Sequence, residues 1–131
     1  MLQGLAVRSY KSLLDEIKSL GFNAVRILFS SQMLITSRPS NATINFALNP
    51  DLQGLSPLQC LDQVVKYCGS IGIRIILSRQ SCIAGNTWNE HFWFIPGDPY
   101  YTQAQFIADL QALAIRYAGL CFKPSHLFHF E

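Results

Sequence analysis

Two short apolar runs, each entered through a glycine and followed by a long polar loop, restrict this chain more than any other feature. One is Ile73-Arg74-Ile75-Ile76-Leu77-Ser78-Arg79-Gln80, behind Gly69-Ser70-Ile71-Gly72. Its apolar part is too short for a helix and reads as a buried parallel strand, apolar on both faces. The polar residues Ser78, Arg79 and Gln80 gather at its carboxyl end, where ligands sit in parallel α/β folds. Asn23-Ala24-Val25-Arg26-Ile27-Leu28-Phe29 is built the same way. Strands are therefore expected over about 23–29 and 73–78, each preceded by a helix.

The helices follow from spacing. Over 9–20, Leu13, Leu14, Ile17 and Leu20 share one face, Ser9 is an N-cap and Gly21 a stop. Ser56-Pro57 opens a second helix over 57–70, with a cap followed by proline at the first helical position. A third, over 103–118, carries Phe106, Ile107, Leu110, Leu113 and Tyr117 and is expected to end at Gly119. Residues 30–56 and 81–102 read as long loops, and both leave the carboxyl ends of strands. The helix-to-strand joints are two or three residues. That asymmetry is the mark of a (β/α) barrel or layered α/β enzyme with its loops on one working face. The tail from 120 to 131 is different: Pro124 interrupts it, and it reads as a short strand over 126–130 or as no regular structure.

Half the residues are hydrophobic and 14% charged, which excludes a disordered chain. A net charge of +2, with basic residues scattered, gives no footprint for nucleic acid. No apolar run reaches the roughly 18 residues of a membrane span. The first twenty residues hold Arg8, Lys11, Asp15, Glu16 and Lys18, so they do not read as a secretion signal, and localisation stays open. Asn41-Ala42-Thr43 is a glycosylation triplet that would matter only behind such a signal. Cys60, Cys68, Cys82 and Cys121 fit no zinc spacing. On one helix Cys60 and Cys68 stand about 12 Å apart along the axis, too far to bridge. Buried free thiols are expected.

Four stretches carry a more specific signal: Gly21 to Arg26, Asn49-Pro50-Asp51-Leu52-Gln53-Gly54-Leu55, Gly72 to Leu77, and Ala108 to Tyr117. In this order and spacing, over about residues 4–119, they resemble successive landmarks of glycoside hydrolase family 5, and within it the cellulase-type endoglucanases. The resemblance implies a (β/α)8 barrel, here partial, that hydrolyses β-linked polysaccharide with retention and without a cofactor or metal. Members of the family are commonly secreted. Residues 1–119 would form the partial barrel, and 120–131 a divergent tail, a remnant of strand four. If 23–29 is the second strand and 73–78 the third, the nucleophile at the seventh lies outside this chain. Eight strands take around 250 residues. A truncated, inactive chain that self-associates through uncovered sheet edges is the expectation.

Retention requires two carboxyl groups about 5–5.5 Å apart. Glu131 lies at the distance past Arg116–Gly119 where the family places its acid/base glutamate, in an Asn-Glu-Pro motif. Phe130 replaces the asparagine and no proline follows, departures that count against an equivalent role; an altered reading frame in the tail explains them as well. Arg26 matches the family's strand-two arginine, which hydrogen-bonds near the nucleophile; inside an apolar strand it is expected to be buried and partnered. Where the family reads Leu-Asp-x-His, this chain has Leu77-Ser78-Arg79-Gln80. The lost aspartate and imidazole leave Gln80 to bond a sugar hydroxyl. Trp88, Trp93 and Tyr100 suit stacking on sugar rings, or simple packing under the loop. His91, His126 and His129 have no metal-binding spacing, and Asp98 reads as a turn residue.

Two other readings compete. A non-catalytic carbohydrate-binding remnant would use Arg26, Gln80, Trp88 and Trp93. A flavodoxin-like domain is disfavoured because the chain has no Gly-rich phosphate loop.

Overall fold

A computed structural model of the chain describes residues 4–37, 43–84, 93–121 and 129–130. The elements run α1 (Tyr10–Ser19), β1 (Ala24–Ser30), α2 (Ser31–Ile35), a 3-10 turn at Pro50–Leu52, α3 (Pro57–Ser70), β2 (Arg74–Ser81), α4 (Gln103–Cys121) and β3 (His129–Phe130).

The two αβ joints share one construction. After α1, Gly21 takes a left-handed φ of 89°. Its N–H reaches Lys18 O, while the Phe22 N–H reaches Ile17 O. After α3, Gly72 has φ 70°, its N–H bonds Gly69 O, and the Ile73 N–H bonds Cys68 O. Each pair is a Schellman motif, which needs a residue free of a Cβ penalty at this one position. Each turns the chain from helix straight into strand. At the other end of α3, Ser56 and Gln59 form a reciprocal capping box.

The strands are parallel, in the order β1-β2-β3. Ala24 to Phe29 pair with Arg74 to Arg79 in register, and Ser30 then pairs with Ser81, leaving Gln80 unopposed as a bulge. β3 pairs with Ile76 and Leu77. It falls inside the expected 126–130 strand, whereas residues 122–128 lie outside the described ones.

Ile27, Phe29, Ile75 and Leu77 are buried in one cluster with Tyr10 and Leu14 of α1, Leu61 and Val64 of α3, and Leu113 and Tyr117 of α4. The helices thus cover a single face of the sheet. A doubly wound flavodoxin-like sheet would bury both. The expectation of strands buried on both faces is corrected accordingly: Ala24, Arg26 and Leu28 are exposed on the far side of β1. Arg74 and Gln80 are exposed on β2, with Ile76 and Ser78 partly so.

Three bounds also differ from the sequence reading. β2 runs to Ser81, because its polar end keeps pairing with β1. α4 passes through Gly119 to Cys121; Gly119 has no positive φ and so does not terminate the helix. Residues 30–56 are not all loop, since α2 and the 3-10 turn lie within them. Cys60 and Cys68 are buried free thiols, and the buried Cys82 accepts a hydrogen bond from Arg79.

Candidate functional site

The carboxyl ends of β1 and β2 bring the strand residues of interest to one face. Register sets Arg26 beside Ile76 and Leu28 beside Ser78. Gln80 follows on the same side, exposed at the bulge. Bulges re-aim side chains and are frequent at the rims of barrels and beside active sites. Arg26, expected to be buried and partnered, is exposed and mid-strand. The reason is parity: it lies on the face that no described helix covers.

Arg79 points the other way and has a different task. Its Nε donates to Ser31 Oγ at 3.0 Å, and its Nη2 to Cys82 Sγ at 2.7 Å. The guanidinium lies 5.0 Å from the Phe106 ring centroid. One side chain thereby fastens α2 and α4 to the end of β2. The Gln32 N–H bonds Cys82 O, and Gln32 Oε1 accepts from the Ala84 N–H. Ser30 Oγ, at the same strand end, is buried and finds no hydrogen-bond partner among the described residues.

Trp93 is both packed and available. Its ring meets Phe106 at 4.9 Å and Phe94 at 5.6 Å, both edge-on, while 43% of the residue is exposed. Tyr100 is 70% exposed. Asp98 Oδ1 accepts from the Tyr100 and Tyr101 N–H groups, the turn role expected of it. Trp88, Glu131, His91, His126 and Asn41 lie outside the described residues.

Six of the chain's eight acidic residues are described, and none belongs to a strand. Asp15 accepts from Tyr67 Oη, Glu16 pairs with Arg8, and Asp109 accepts from Gln105. Asp62 takes Arg116 and the buried Tyr117 Oη, clamping α3 to α4. That bond to Asp62 holds the Arg116 guanidinium charged, while burial and Asp62 push the Tyr117 phenol up. Burial pushes the Asp51 carboxyl up, but hydrogen bonds from Lys11 and Tyr10 outweigh it, and its pKa falls below the ordinary value. Tyr10 moves the opposite way, through burial first and the Asp51 hydrogen bond second. Among the described residues no three His, Cys, Asp or Glu side chains gather to hold a metal, and no helix is long and apolar enough to cross a membrane.

Sequence reasoning missed the role of Asn49. Its Oδ1 accepts from the Tyr10 N–H at 2.9 Å, an unpaired donor of the first turn of α1. Its Nδ2 faces Asn45 O, Leu5 O and Arg8 O at 3.1, 3.2 and 3.4 Å. The only sequence signal was its place at the head of a recognisable landmark. The reading that groups Arg79 with Ser78 and Gln80 at the ligand end is corrected too: Arg79 is held by Ser31, Cys82 and Phe106, and strand parity with Ile75 and Leu77 is the signal that could have shown it.

Comparison with known proteins agrees with this arrangement. The sequence model of the family described as cellulase (glycosyl hydrolase family 5) matches residues 4–129. An endoglucanase of Paenibacillus polymyxa is 36% identical over 117 residues, which are 88% of this chain and 28% of that protein. The major extracellular endoglucanase of Xanthomonas campestris pv. campestris is 34% identical over 120 residues, 92% of this chain and 24% of that one. The solved catalytic domain of the major endoglucanase from Xanthomonas campestris pv. campestris superposes with a TM-score of 0.78 at 30% identity, over 98% of this chain and 34% of that one. A cellotetraose complex of the endocellulase from Pyrococcus horikoshii gives 0.74 at 30% identity, over 89% and 29%. The chain spans about a quarter of the length of the curated relatives it matches.

Proposed function

The chain belongs to glycosyl hydrolase family 5, the cellulase family, and from that premise we propose that it supplies part of the sugar-facing wall of a retaining β-glucan hydrolase without hydrolysing substrate by itself. One observation carries the reading: the described helices pack on one face of a parallel sheet, and the other face presents Arg26 from the middle of β1 and Ser78 and Gln80 towards the end of β2. That is the layout of a barrel wall, whose lumen-facing residues meet substrate at the carboxyl ends of the strands. β1 and β2 take the second and third strand positions. Residues 1–119 form the barrel segment, and 120–131 the remnant of the fourth strand. The parallel pairing of β3 with β2 supports that place.

In this reading Arg26 and Gln80 donate hydrogen bonds to sugar hydroxyls. Trp93, with Trp88 of the same loop, stacks on a pyranose face. Glu131, next in sequence after β3, is the candidate acid/base. Retention needs a second carboxylate about 5–5.5 Å away. Neither strand contains an acid, and each described acid already has a partner on a helix or in a turn. Among the described residues none is therefore a candidate nucleophile.

The test is reducing-sugar release from carboxymethylcellulose and from soluble mixed-linkage β-glucan. No turnover is expected, and turnover abolished by Glu131→Gln would overturn the reading. The half-exposed Trp93 favours a second reading, in which the chain binds sugar without cleaving it. Saturable quenching of tryptophan fluorescence by cello-oligosaccharides, lost in Trp93→Ala, supports that reading; a flat titration to millimolar sugar removes it.

A further inference from the structure

Two contacts of the Arg79 guanidinium lead to one residue of the loop that follows β2. The first runs through Cys82, whose sulfur accepts from Arg79 Nη2 and whose S–H donates to the Trp93 carbonyl at 3.8 Å. A neutral thiol does both at once, whereas a thiolate would lose the donor. The second runs through Phe106. Arg79 lies 5.0 Å from the centroid of that ring, and the ring meets the Trp93 indole edge-on at 4.9 Å. One route ends on the Trp93 backbone and the other on its side chain. The guanidinium is itself anchored, because its Nε donates to Ser31 Oγ at the start of α2. β2, α2 and α4 thus converge on the placement of a single, partly exposed indole.

We propose that Arg79 is a positioning residue for the sugar platform: through Cys82 and Phe106 it holds the Trp93 ring in the orientation that a pyranose meets. The proposal rests on the reading that Trp93 stacks on sugar, and Arg79 itself touches none. A clamp that only joined α2 and α4 to β2 would be complete with Ser31 and Phe106. The bond from Cys82 to the Trp93 carbonyl adds nothing to that joint, but it fixes the backbone from which the indole projects. Holding backbone and ring together leaves the indole little freedom to lose when sugar binds, which is the gain of preorganisation. The task suits a guanidinium, whose edge donates to two partners while its face packs on a ring; an ammonium has no such fork.

The test separates the freedom of the ring from the binding of sugar. The chain has two tryptophans, so in a Trp88→Phe background Trp93 alone emits. Its time-resolved fluorescence anisotropy reads side-chain motion on the picosecond to nanosecond scale. With Arg79 in place the decay should follow the tumbling of the whole particle. Arg79→Lys should add a fast component. So should Ser31→Ala, which removes the Nε partner and breaks no hydrogen bond to Trp93 among the described residues. Ser31→Ala decides the matter if circular dichroism shows that Arg79→Lys does not fold. Cellotetraose affinity, from quenching in the chain that keeps Trp88, should fall about fivefold in each folded variant. A merely structural role would lower the melting temperature and leave the anisotropy decay unchanged well below it. The proposal is overturned if the folded variants keep the parent's decay, or if the ring loosens while cellotetraose affinity stays the same. Sugar binding with an unchanged decay removes the role of Arg79 alone. A flat cellotetraose titration of the parent removes the stacking reading, and the proposal with it.

Discussion

Asn49→Ala should be among the most damaging single substitutions outside the apolar cluster. The side chain is 1% exposed, and it joins the residues before α1 to the turn that ends the long connection. Its two amide hydrogens cannot serve three carbonyls fully, so about three good bonds are at stake. Their losses are unequal. Leu5 O also accepts from the Asn45 N–H, and Asn45 O from the Asn49 N–H, so both keep a partner when the side chain goes. The Tyr10 N–H has no intrahelical acceptor and would be left buried and unpaired. A net bond contributes about 1 kcal/mol, and an orphaned buried donor costs about 1–3 kcal/mol. The sum is about 3 kcal/mol, a large share of the stability of a small domain. With a urea m-value of about 1.5 kcal/mol/M, the unfolding midpoint should fall by about 2 M with m unchanged. Asn49→Asp separates the groups involved. It keeps the acceptor for Tyr10, loses both donors and sets a carboxylate against three carbonyls, so at neutral pH it should be at least as unstable as alanine. A midpoint shift under about 0.5 M for alanine, or an aspartate variant as stable as the parent, would refute the reasoning.

Asp62→Ala should cost about 1–2 kcal/mol, mostly through the buried Tyr117 hydroxyl that loses its acceptor, since the half-exposed Arg116 pair contributes little; Arg116→Ala should cost less than half as much in the same urea titration. The depressed Asp51 carboxyl gives an acid limb. Its stabilisation is fully present above the unfolded value of about 4 and is lost as pH falls through the lower folded value, so melting temperatures of Asp51→Asn and parent should converge on acidification. Tyr10 gives the opposite limb: its raised pKa stabilises the fold below about pH 10, and that contribution is lost as pH rises further. Burial pushes the Cys68 thiol up to about 12, so iodoacetamide at pH 8 should leave Cys68 unmodified in the native chain and label it promptly in urea, as mass spectrometry of the peptide would show.

Local signals made the frame legible. Gly21 and Gly72 each announced the end of a helix because the Schellman turn writes its requirement into one residue. Gly119 shows the limit of the rule, since the glycine signals a stop only where the backbone turns left-handed. The short helix α2 left no such mark: its N-cap Ser30 makes no capping bond, and Gln32 is held by Cys82, fifty residues on. Asn49 was hidden for the same reason, because its partners at Leu5 and Arg8 are distant in sequence.

The burial of the strands was ambiguous on physical grounds. An apolar run says that a strand is central, not what stands on each side of it. β1 devotes its even positions to Ala24, Arg26 and Leu28, one polar residue in three, and a sheet buried on both faces would read the same way. The polar end of β2 resolves the matter once parity is applied. Ser78 and Gln80 fall on one side, with the bulge turning Gln80 outward. Arg79 falls on the other, where Ser31, Cys82 and Phe106 hold it. Ser78-Arg79-Gln80 is therefore two structures in one tripeptide, a polar rim facing the open side and a clamp facing the helices. Substituting Arg79 would disturb the fold before it touched a ligand, whereas substituting Gln80 would do the reverse.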